Sequence, residues 1–571
     1  MATLNKILIL FICLFFVKSN LIGQEKFKLK VADVEISELV TTIEVKKGQN
    51  IFNLITDQFY HLGYLNCSID SINEEREIVF VTAGQKYNWN RMTFSKNDEA
   101  LFSKLNFNQK KWTNHSLSLQ QLNNLKFNTI TYLENIGYPF ASFNFDNILF
   151  SDSTASAKIK ITYGPKIAID SLIISSETEI AHHYISNYIE IKKGANYNEN
   201  IIRNLSTRLK EISFITEVSK PKIYFSNQGA QINLVVKKRK ASTANGIIGL
   251  TQDENTGELL VTGDAKINLI NAFNKGEILK LQWRKLQNNS QEVYSTINTP
   301  YIFNTPFGIA ANINLFRSDT TFAQQSISGS VLYGLSRGNF FNLSFYYDAS
   351  QIITTTNYLD AITLPPFADV TTRGIGIGLK TNKLNYKFNP RSGYAITFNL
   401  KAGNKKIIKN PVFNESAYEG LTLNNNSYSV LFDGSWYIPI MKRSTIKLSN
   451  STGTLINNNL FYNELFRIGG FQLMRGIDES SIFASTYSIQ TLEYRILLEE
   501  NSYFYLFTDL GFWEQNLNTG YLNDIPFSFG SGISFETKPG IFSINYALGQ
   551  QFNNPIQLNA AKVHFGFVSL F

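Results

Sequence analysis

Apolar residues follow two different periods along this chain, and the change of period falls near residue 240. Before that point they recur at helical spacing in three short stretches, each followed by runs of alternating apolar and polar residues. After it the helical spacing disappears, and alternation dominates up to the carboxyl terminus. Because a helical period indicates amphipathic helices and a period of two indicates strands, the sequence predicts an α+β amino-terminal part and an all-β carboxyl-terminal part.

The amino-terminal part repeats one order of elements. Its first two helical stretches end at Gly63 and Gly137, which are 74 residues apart, and the strands behind them end at Gly84 and Gly164, which are 80 apart. A glycine just past a helix supplies the left-handed conformation that closes it. This period predicts small α/β domains in tandem. The apolar faces of the three helices are Phe52, Ile55, Phe59 and Leu62, then Leu119, Leu122, Leu125, Ile130, Leu133 and Ile136, then Ile201, Leu205, Leu209 and Ile212.

The first residues are typical of a secretory signal peptide. Lys6 precedes an apolar run from Ile7 to Val17, which is too short for a membrane helix of about 20 residues, and the small Gly23 follows. The exported chain is therefore either soluble or crosses a membrane as strands. The predicted segments are a signal peptide over 1–23, α/β domains over 24–87, 88–164 and 165–240, and an all-β domain over 241–571, with the short first repeat left open as an incomplete copy.

Alternation in the carboxyl-terminal part favours a closed membrane barrel over an array of soluble sandwiches. Apolar positions such as Phe307, Ile309 and Ile313 interleave with small or polar residues in runs of about ten, the length that crosses a bilayer at a tilt. Tyr, Trp and Phe lie at both ends of these runs, as in interfacial girdles. At about 20 residues per strand and connection, residues 241–571 hold about 16 antiparallel strands, and closure removes the open edges that hydrocarbon does not tolerate.

The carboxyl terminus strengthens this prediction. Phe565, Phe567 and Phe571 share one face of a last strand that ends on the final residue, and Gly566 lies on the other face. A chain that ends on an aromatic strand resembles the terminal recognition signal of bacterial outer-membrane barrels, although Ser569 departs from that pattern. An ordinary exposed edge strand with such residues would invite aggregation.

One segment carries a more specific resemblance. Gly469 and Gly470 are followed by the tetrad Met474-Arg475-Gly476-Ile477, an apolar residue, an arginine, a glycine and a further apolar residue. This arrangement resembles the loop signature of the BamA/TamA superfamily of outer-membrane assembly and translocation proteins, with Ile477 in place of the usual aromatic residue.

Three further stretches resemble the same superfamily, in the same order along the chain. Asp509 and Gly511 occupy a strand motif with an acid two residues before a glycine, Glu493 and Arg495 lie on the preceding strand, and residues 389–393 are similar to a turn before a mid-barrel strand. The amino-terminal repeats resemble POTRA domains. The resemblance implies POTRA repeats in the periplasm, a barrel in the bacterial outer membrane, and insertion or translocation of unfolded outer-membrane client proteins.

The resemblance also implies that the loop folds into the barrel, with its arginine reaching the strand acid. If Arg475 meets Asp509, a charge-assisted pair worth roughly 1.5–3 kcal/mol would offset the cost of ordering the loop. Gly476 and Gly511 would let the two backbones approach closely. The alternative is that Arg475 and Asp509 are separate charges in a water-filled lumen.

The first barrel strand, near Gly246 to Thr251, contains glycine and is short compared with the others. Its pairing with the last strand, over Phe565, Gly566 and Phe567, would close the barrel. The resemblance implies that this seam opens sideways to template client strands, while strand addition to the POTRA-like sheets holds extended clients.

Other chemistry has little support. The chain carries 53 basic and 45 acidic residues, a thinly spread excess that does not favour nucleic acid, and its sharpest charge run, Lys237–Lys240, is predicted to be a solvated junction at the periplasmic membrane face. The histidines lack metal-ligand spacing, and no nucleophile elbow or phosphate-binding loop is present, so we expect no enzymatic activity, cofactor or metal.

Two alternatives to an assembly factor stay open. One is a two-partner secretion transporter resembling FhaC, a class that usually has two POTRA domains and an amino-terminal plug helix. The other is a passive outer-membrane channel whose repeats only anchor it. Outer-membrane lipids are expected partners in every case, and accessory lipoproteins or an inner-membrane partner are further candidates.

Overall fold

The computed structural model describes residues 24–570 except 35, 37–41, 47–49, 253–258, 287–289, 320, 356–363, 387–388, 472 and 538. The predicted signal peptide and Phe571 lie outside the described residues. No helix in the described part of the chain combines the length and the apolar character needed to span a membrane. The chain forms two compact units, one extending to Ala168 and including Asn196–Asn200, and the other made of Ile169–Ala195 and Ile201–Phe571.

The first unit contains two sheets. In the first sheet, with strand order β2-β1-β4-β3, the strands β1 and β4 are parallel. Helix α1 ends where predicted, with Gly63 at φ 94°, and buries Ile55 and Phe59, whereas Phe52 is 51% exposed and so lies off the apolar face assigned to it. The elements are β1 (Gln24–Val31), β2 (Thr42–Lys46), α1 (Ile51–Leu62), β3 (Ser68–Asn73) and β4 (Ile78–Thr82).

The second sheet has the helices followed by two strands that the repeat predicts, with a further strand, β5, ahead of them. Strands β5 and β7 are parallel, β6 pairs with β7 in an antiparallel hairpin, and Trp89, Phe102 and Phe143 fill the core between sheet and helices. The elements are β5 (Asn88–Thr93), α2 (Glu99–Lys104), α3 (Gln109–Trp112), α4 (Leu119–Asn135), β6 (Ser142–Ser151) and β7 (Thr154–Thr162).

The third sheet belongs to the second unit and has the same topology, with β8 parallel to β10 and β9 antiparallel to it. The single helix predicted over Ile201 to Ile212 is wrong, because the helix is broken at Asn204 (φ −93°, ψ 3°). Asparagine competes with the helical backbone for hydrogen bonds, which favours such a break. The elements are β8 (Ile169–Ser175), α5 (His182–Ile189), α6 (Glu199–Arg203), α7 (Leu205–Glu211), β9 (Ile215–Ser226) and β10 (Gly229–Lys238).

The remainder of the second unit is a closed antiparallel barrel. The strands β26 and β27 both pair with β25, on either side of Pro526, so they form one interrupted strand and the barrel has 16 strands, as predicted. Its strands are β11 (Thr243–Gln252), β12 (Leu259–Ile270), β13 (Ile278–Lys285), β14 (Gln291–Thr299), β15 (Phe307–Ser318), β16 (Phe322–Gly334), β17 (Phe340–Ile352), β18 (Asp369–Leu384), β19 (Gly393–Ile408), β20 (Asn424–Met441), β21 (Ser444–Ile456), β24 (Thr486–Leu497), β25 (Tyr503–Leu517), β26 (Gly520–Asp524), β27 (Phe527–Thr537), β28 (Gly540–Gln550) and β29 (Lys562–Leu570).

The outer face of the barrel is apolar and its inner face is polar. On β13, for example, Leu281 and Trp283 are 50% and 44% exposed on the outside, whereas Arg284 points inward and forms an ion pair with Glu479. The alternation along each strand therefore separates a lipid-facing surface from a lumen.

Helix α5 of the third sheet packs against turns at one end of the barrel, which we call the module end. The Tyr184 ring lies 5.4 Å from the Tyr301 ring, and the Asn187 side-chain amide donates to Asn304 Oδ1 at 3.1 Å. Glu211 at the end of α7 forms an ion pair with Arg337 in the turn between β16 and β17. These contacts make the third sheet and the barrel one body.

Candidate functional site: the luminal loop and the barrel seam

The connection from β21 to β24 leaves the end of the barrel opposite the module end and folds back inside. We call residues 457–485 the luminal loop. It contains the short antiparallel strands β22 (Phe466–Ile468) and β23 (Ile482–Ala484). Met474 and Ile468 are fully buried with Trp513 of β25, so the loop carries its own small core against the barrel wall.

The glycines of the loop motif shape its turns. Gly469, Gly470 and Gly476 all have positive φ, at 110°, 91° and 83°, and Gly470 and Met474 exchange two backbone hydrogen bonds of 3.0 Å. A Cβ atom on Gly476 would lie 2.7 Å from the carbonyl carbon of Leu548 on β28. The backbone of the loop therefore lies directly against the barrel wall at Gly476, which only glycine permits.

Arg475 points from this turn into a buried set of acids. Its Nε and Nη2 donate to Asp509 at 3.0 and 2.8 Å, its backbone N–H donates to Asp509 at 3.1 Å, and its Nη1 donates to Glu493 at 3.0 Å. The guanidinium also stacks on the Phe507 ring, 3.5 Å from the ring centroid. The structure thus brings Arg475 and Asp509 together, and Gly511, two residues further along β25, lies beside Met474.

The network continues toward the module end. Glu493 accepts a hydrogen bond of 2.6 Å from Arg495, whose Nη1 donates to Asn389 Oδ1 at 3.1 Å. Asn389 belongs to the turn before β19 that the sequence singled out, and Lys447 lies opposite Glu493 on β21. Sequence reasoning did not assign Asn389 or Lys447 to this network, because only the barrel register places them there.

The first part of the loop has two further anchors that no motif indicated. Lys405 of β19, whose side chain is fully buried, forms an ion pair of 2.5 Å with Glu464. Arg467 donates to Gln324, and its guanidinium lies 3.3 Å from the centroid of the Phe316 ring. These contacts fix the first part of the loop to β15, β16 and β19.

Asp478 and Glu479 tie the last part of the loop to two strands on either side of the first strand, β11. Asp478 lies 2.7 Å from Lys562 of β29, and Glu479 forms an ion pair with Arg284 of β13. We call these two ion pairs the seam clamp. Since β29 and β13 flank β11 and β12, the clamp spans the junction at which the barrel closes.

The seam itself is the antiparallel pairing of β11 with β29 over eight residue pairs. Gly246 lies opposite Phe567, and Gly566 lies opposite Ile247. The first strand, β11, begins at Thr243, three residues before its predicted start at Gly246, because Thr243–Asn245 also pair with β29. With ten residues it is shorter than most of the barrel strands, although β13 has only eight. Phe565 is exposed on the outer face, and Phe571 lies outside the described residues.

Comparison with known proteins identifies the superfamily. The family model described as Omp85 superfamily domain matches residues 271–568, which is more than half of the chain. The chain belongs to the Omp85 superfamily. The predicted resemblance to BamA-like outer-membrane proteins is therefore confirmed at this level, as is the outer-membrane barrel with POTRA-like amino-terminal domains. Omp85 proteins handle outer-membrane client proteins.

Two solved structures of CdiB are similar to this chain in fold but distant in sequence. CdiB from Acinetobacter baumannii is 13% identical with a TM-score of 0.53, covering 86% of this chain and 90% of that one, and CdiB from Escherichia coli is 12% identical with a TM-score of 0.52, covering 86% and 91%. BamA from Haemophilus ducreyi lacking POTRA domains 1–3 is 16% identical with a TM-score of 0.42, covering 85% and 100%. No curated protein sequence matches this chain.

Proposed function

We propose that this Omp85 protein inserts or translocates client proteins at the outer membrane by opening the seam between β11 and β29. The observation that carries the proposal is the seam clamp. Asp478 and Glu479 are neighbours in the loop, and they hold Lys562 and Arg284 on opposite sides of β11. When the seam opens, β29 and β13 separate, so at least one of these ion pairs must break. The position of the loop and the state of the seam are thereby coupled.

The three α/β sheets would then lie in the periplasm and receive clients. β6 is an edge strand of the second sheet, and it exposes Ile148, Leu149 and Phe150 by 49%, 67% and 56%. An edge strand accepts an extended segment through main-chain hydrogen bonds, and exposed apolar side chains favour a segment with alternating apolar residues. Strands of outer-membrane barrels have that pattern.

A passive channel is the weaker alternative, because the luminal loop contacts the wall around much of the barrel. Its anchors are distributed over β13, β16, β19, β25 and β29. The two-partner secretion alternative is weaker for a different reason. The resemblance implies two POTRA domains for that class, and the described residues form three α/β sheets ahead of the barrel.

The proposed activity is binding and remodelling without bond chemistry or a cofactor. Within the described residues, no group of three or more His, Cys, Asp and Glu side chains is placed to hold a metal ion. The buried charges of the luminal network are instead paired with one another, as expected of a structural latch.

Proteoliposomes that contain the full chain would test this function. An unfolded foreign outer-membrane barrel is added, and its folding is followed by the mobility shift that folded barrels show in unheated gels. We expect faster folding than in liposomes that contain an unrelated closed barrel of similar size. Passage of ions or solutes without faster folding would favour the passive channel, and export of one dedicated substrate alone would favour the two-partner transporter.

A further inference from the structure

The junction between β10 and β11 concentrates positive charge where the chain enters the barrel. Lys237, Lys238, Arg239 and Lys240 are consecutive and exposed, and β11 begins three residues later at Thr243. We propose that this basic junction binds the headgroups of anionic phospholipids in the membrane leaflet at the module end. The proposal does not depend on which client the barrel handles.

The junction is held in place by contacts on both sides. Arg239 Nε donates to the Ser213 carbonyl at 2.9 Å, and Lys238 Nζ donates to Asn274 Oδ1 at 3.3 Å in the turn between β12 and β13. Ser242 Oγ accepts from the Ile270 backbone N–H at 3.1 Å. Because these side chains bond to both the third sheet and the barrel, the junction stays beside the barrel wall.

The distance along the chain places these cations at headgroup level. Ile248 is 54% exposed on the lipid-facing side of β11, and by alternation Ala244 is on the same face. Ala244 is the fourth residue after Lys240, so at most about 14 Å of extended chain joins the two. The lysine side chain itself is long and flexible, and therefore its ammonium group can reach the phosphate layer while the strand spans the hydrocarbon.

Neighbouring turns have the side chains expected at a membrane interface. Phe273 in the turn between β12 and β13 is 67% exposed, and Phe303 in the turn between β14 and β15 is 92% exposed. Lys275 adds a further exposed cation, whereas Glu277 is 3% exposed and its carboxylate accepts the backbone N–H groups of Phe273 and Lys275 at 2.6 and 3.0 Å. Aromatic rings at the interface and cations in front of it favour an anionic lipid surface over an acidic protein partner.

Native mass spectrometry of the full chain, released from micelles with equal amounts of phosphatidylglycerol and phosphatidylcholine of matched acyl chains, would test this proposal. We expect preferential retention of phosphatidylglycerol by the unmodified chain. Substitution of Lys237, Lys238, Arg239 and Lys240 by Gln should lower that preference at least tenfold. A matched control replaces four exposed lysines of the first unit by Gln and should leave it unchanged, namely Lys28, Lys158, Lys160 and Lys166.

The outcomes are distinct. If the junction variant keeps the preference for phosphatidylglycerol, the proposal is overturned. If the control variant loses that preference as much as the junction variant does, the proposal is also overturned, because net charge alone would then decide binding. Binding of an acidic client peptide to the unmodified chain, with no preference for phosphatidylglycerol, would assign the junction to proteins instead. Heat-modified gel mobility of both variants checks that the barrel still folds.

Discussion

Arg475 of the luminal loop and Asp509 of β25 are joined by three hydrogen bonds in a place that water hardly reaches. Their side chains are 10% and 1% exposed, and two of the bonds come from the guanidinium and one from the Arg475 backbone N–H. A bidentate pair of this kind fixes both the position and the orientation of the loop. Removal of Arg475 would leave the Asp509 carboxylate uncompensated inside the barrel.

The first prediction concerns Arg475. Arg475→Ala should free the loop at a cost of about 3–5 kcal/mol, because Asp509 would lose the cation that pairs with it, whereas Glu493 would keep its ion pair with Arg495. Limited proteolysis of the full chain should then cleave within residues 457–485. Arg475→Lys should give partial protection against the protease, since the lysine ammonium keeps the positive charge but cannot form the two parallel hydrogen bonds that the guanidinium makes to Asp509. Protease resistance of the Ala variant equal to that of the unmodified chain would contradict a latch.

The second prediction uses two glycines with nearly the same backbone conformation. Gly476 and Gly420 have φ of 83° and 79°, but a Cβ at Gly476 would lie 2.7 Å from β28, whereas nothing lies within 4 Å at Gly420. Gly420→Ala should lower the free energy of unfolding by about 1 kcal/mol, the strain of a positive φ alone. Gly476→Ala should lower it by about 1–3 kcal/mol more, because the new Cβ also clashes with β28. The resistance of each variant to heat and urea measures the difference. Equal stability would show that the close approach at Gly476 is unimportant.

The third prediction concerns the seam clamp. Asp478→Asn should weaken the ion pair with Lys562 and so increase the frequency of brief conductance steps in a planar bilayer. Asp348→Asn is the matched control, because Asp348 lies 3.6 Å from Lys401 inside the barrel and away from the seam. If both variants open equally often, or neither opens more often than the unmodified chain, the clamp does not control the seam.

The fourth prediction concerns the joint between the third sheet and the barrel. Arg337 Nε donates to Glu211 Oε2 at 3.1 Å, and the Tyr188 hydroxyl donates to the same oxygen at 3.2 Å. We expect Glu211→Gln and Arg337→Gln each to weaken docking of the sheet, with a coupling energy of about 1 kcal/mol or more in a double-mutant cycle. Hydrogen exchange of α5 provides the measurement. Additive effects of the two substitutions would argue against a direct interaction.

Local patterns in the sequence were sufficient for the repeated α/β order, the barrel and its strand number. Successive side chains of a barrel strand point alternately to the lipid and to the lumen. Every strand residue therefore contributes to a strong alternation of apolar and polar residues in the sequence. The loop motif could also be recognised in the sequence. Gly469, Gly470 and Gly476 adopt backbone conformations and make close contacts that other residues do not tolerate, so the motif has a distinctive glycine pattern.

The contacts that hold the loop elsewhere left no such pattern. Lys405 and Glu464 are 59 residues apart, and Arg284 and Glu479 are 195 apart. Each of these residues resembles any other polar lumen position until the barrel closes and the loop folds back. The break at Asn204 and the start of β11 at Thr243 were missed for a related reason. Tertiary contacts and strand pairing, which no local window contains, decide where those elements end.

Cross-linking of the seam tests the central claim most directly. Phe565 of β29 lies between Ile248 of β11 and Ile544 of β28, and all three side chains face outward. In a Cys67→Ser background, Phe565→Cys is combined with Ile248→Cys to lock the seam, or with Ile544→Cys to lock the neighbouring strand pair. We predict that oxidation abolishes client insertion in proteoliposomes only for the Ile248→Cys pair, and that reduction restores it. Undiminished insertion with the seam fully cross-linked would contradict the account.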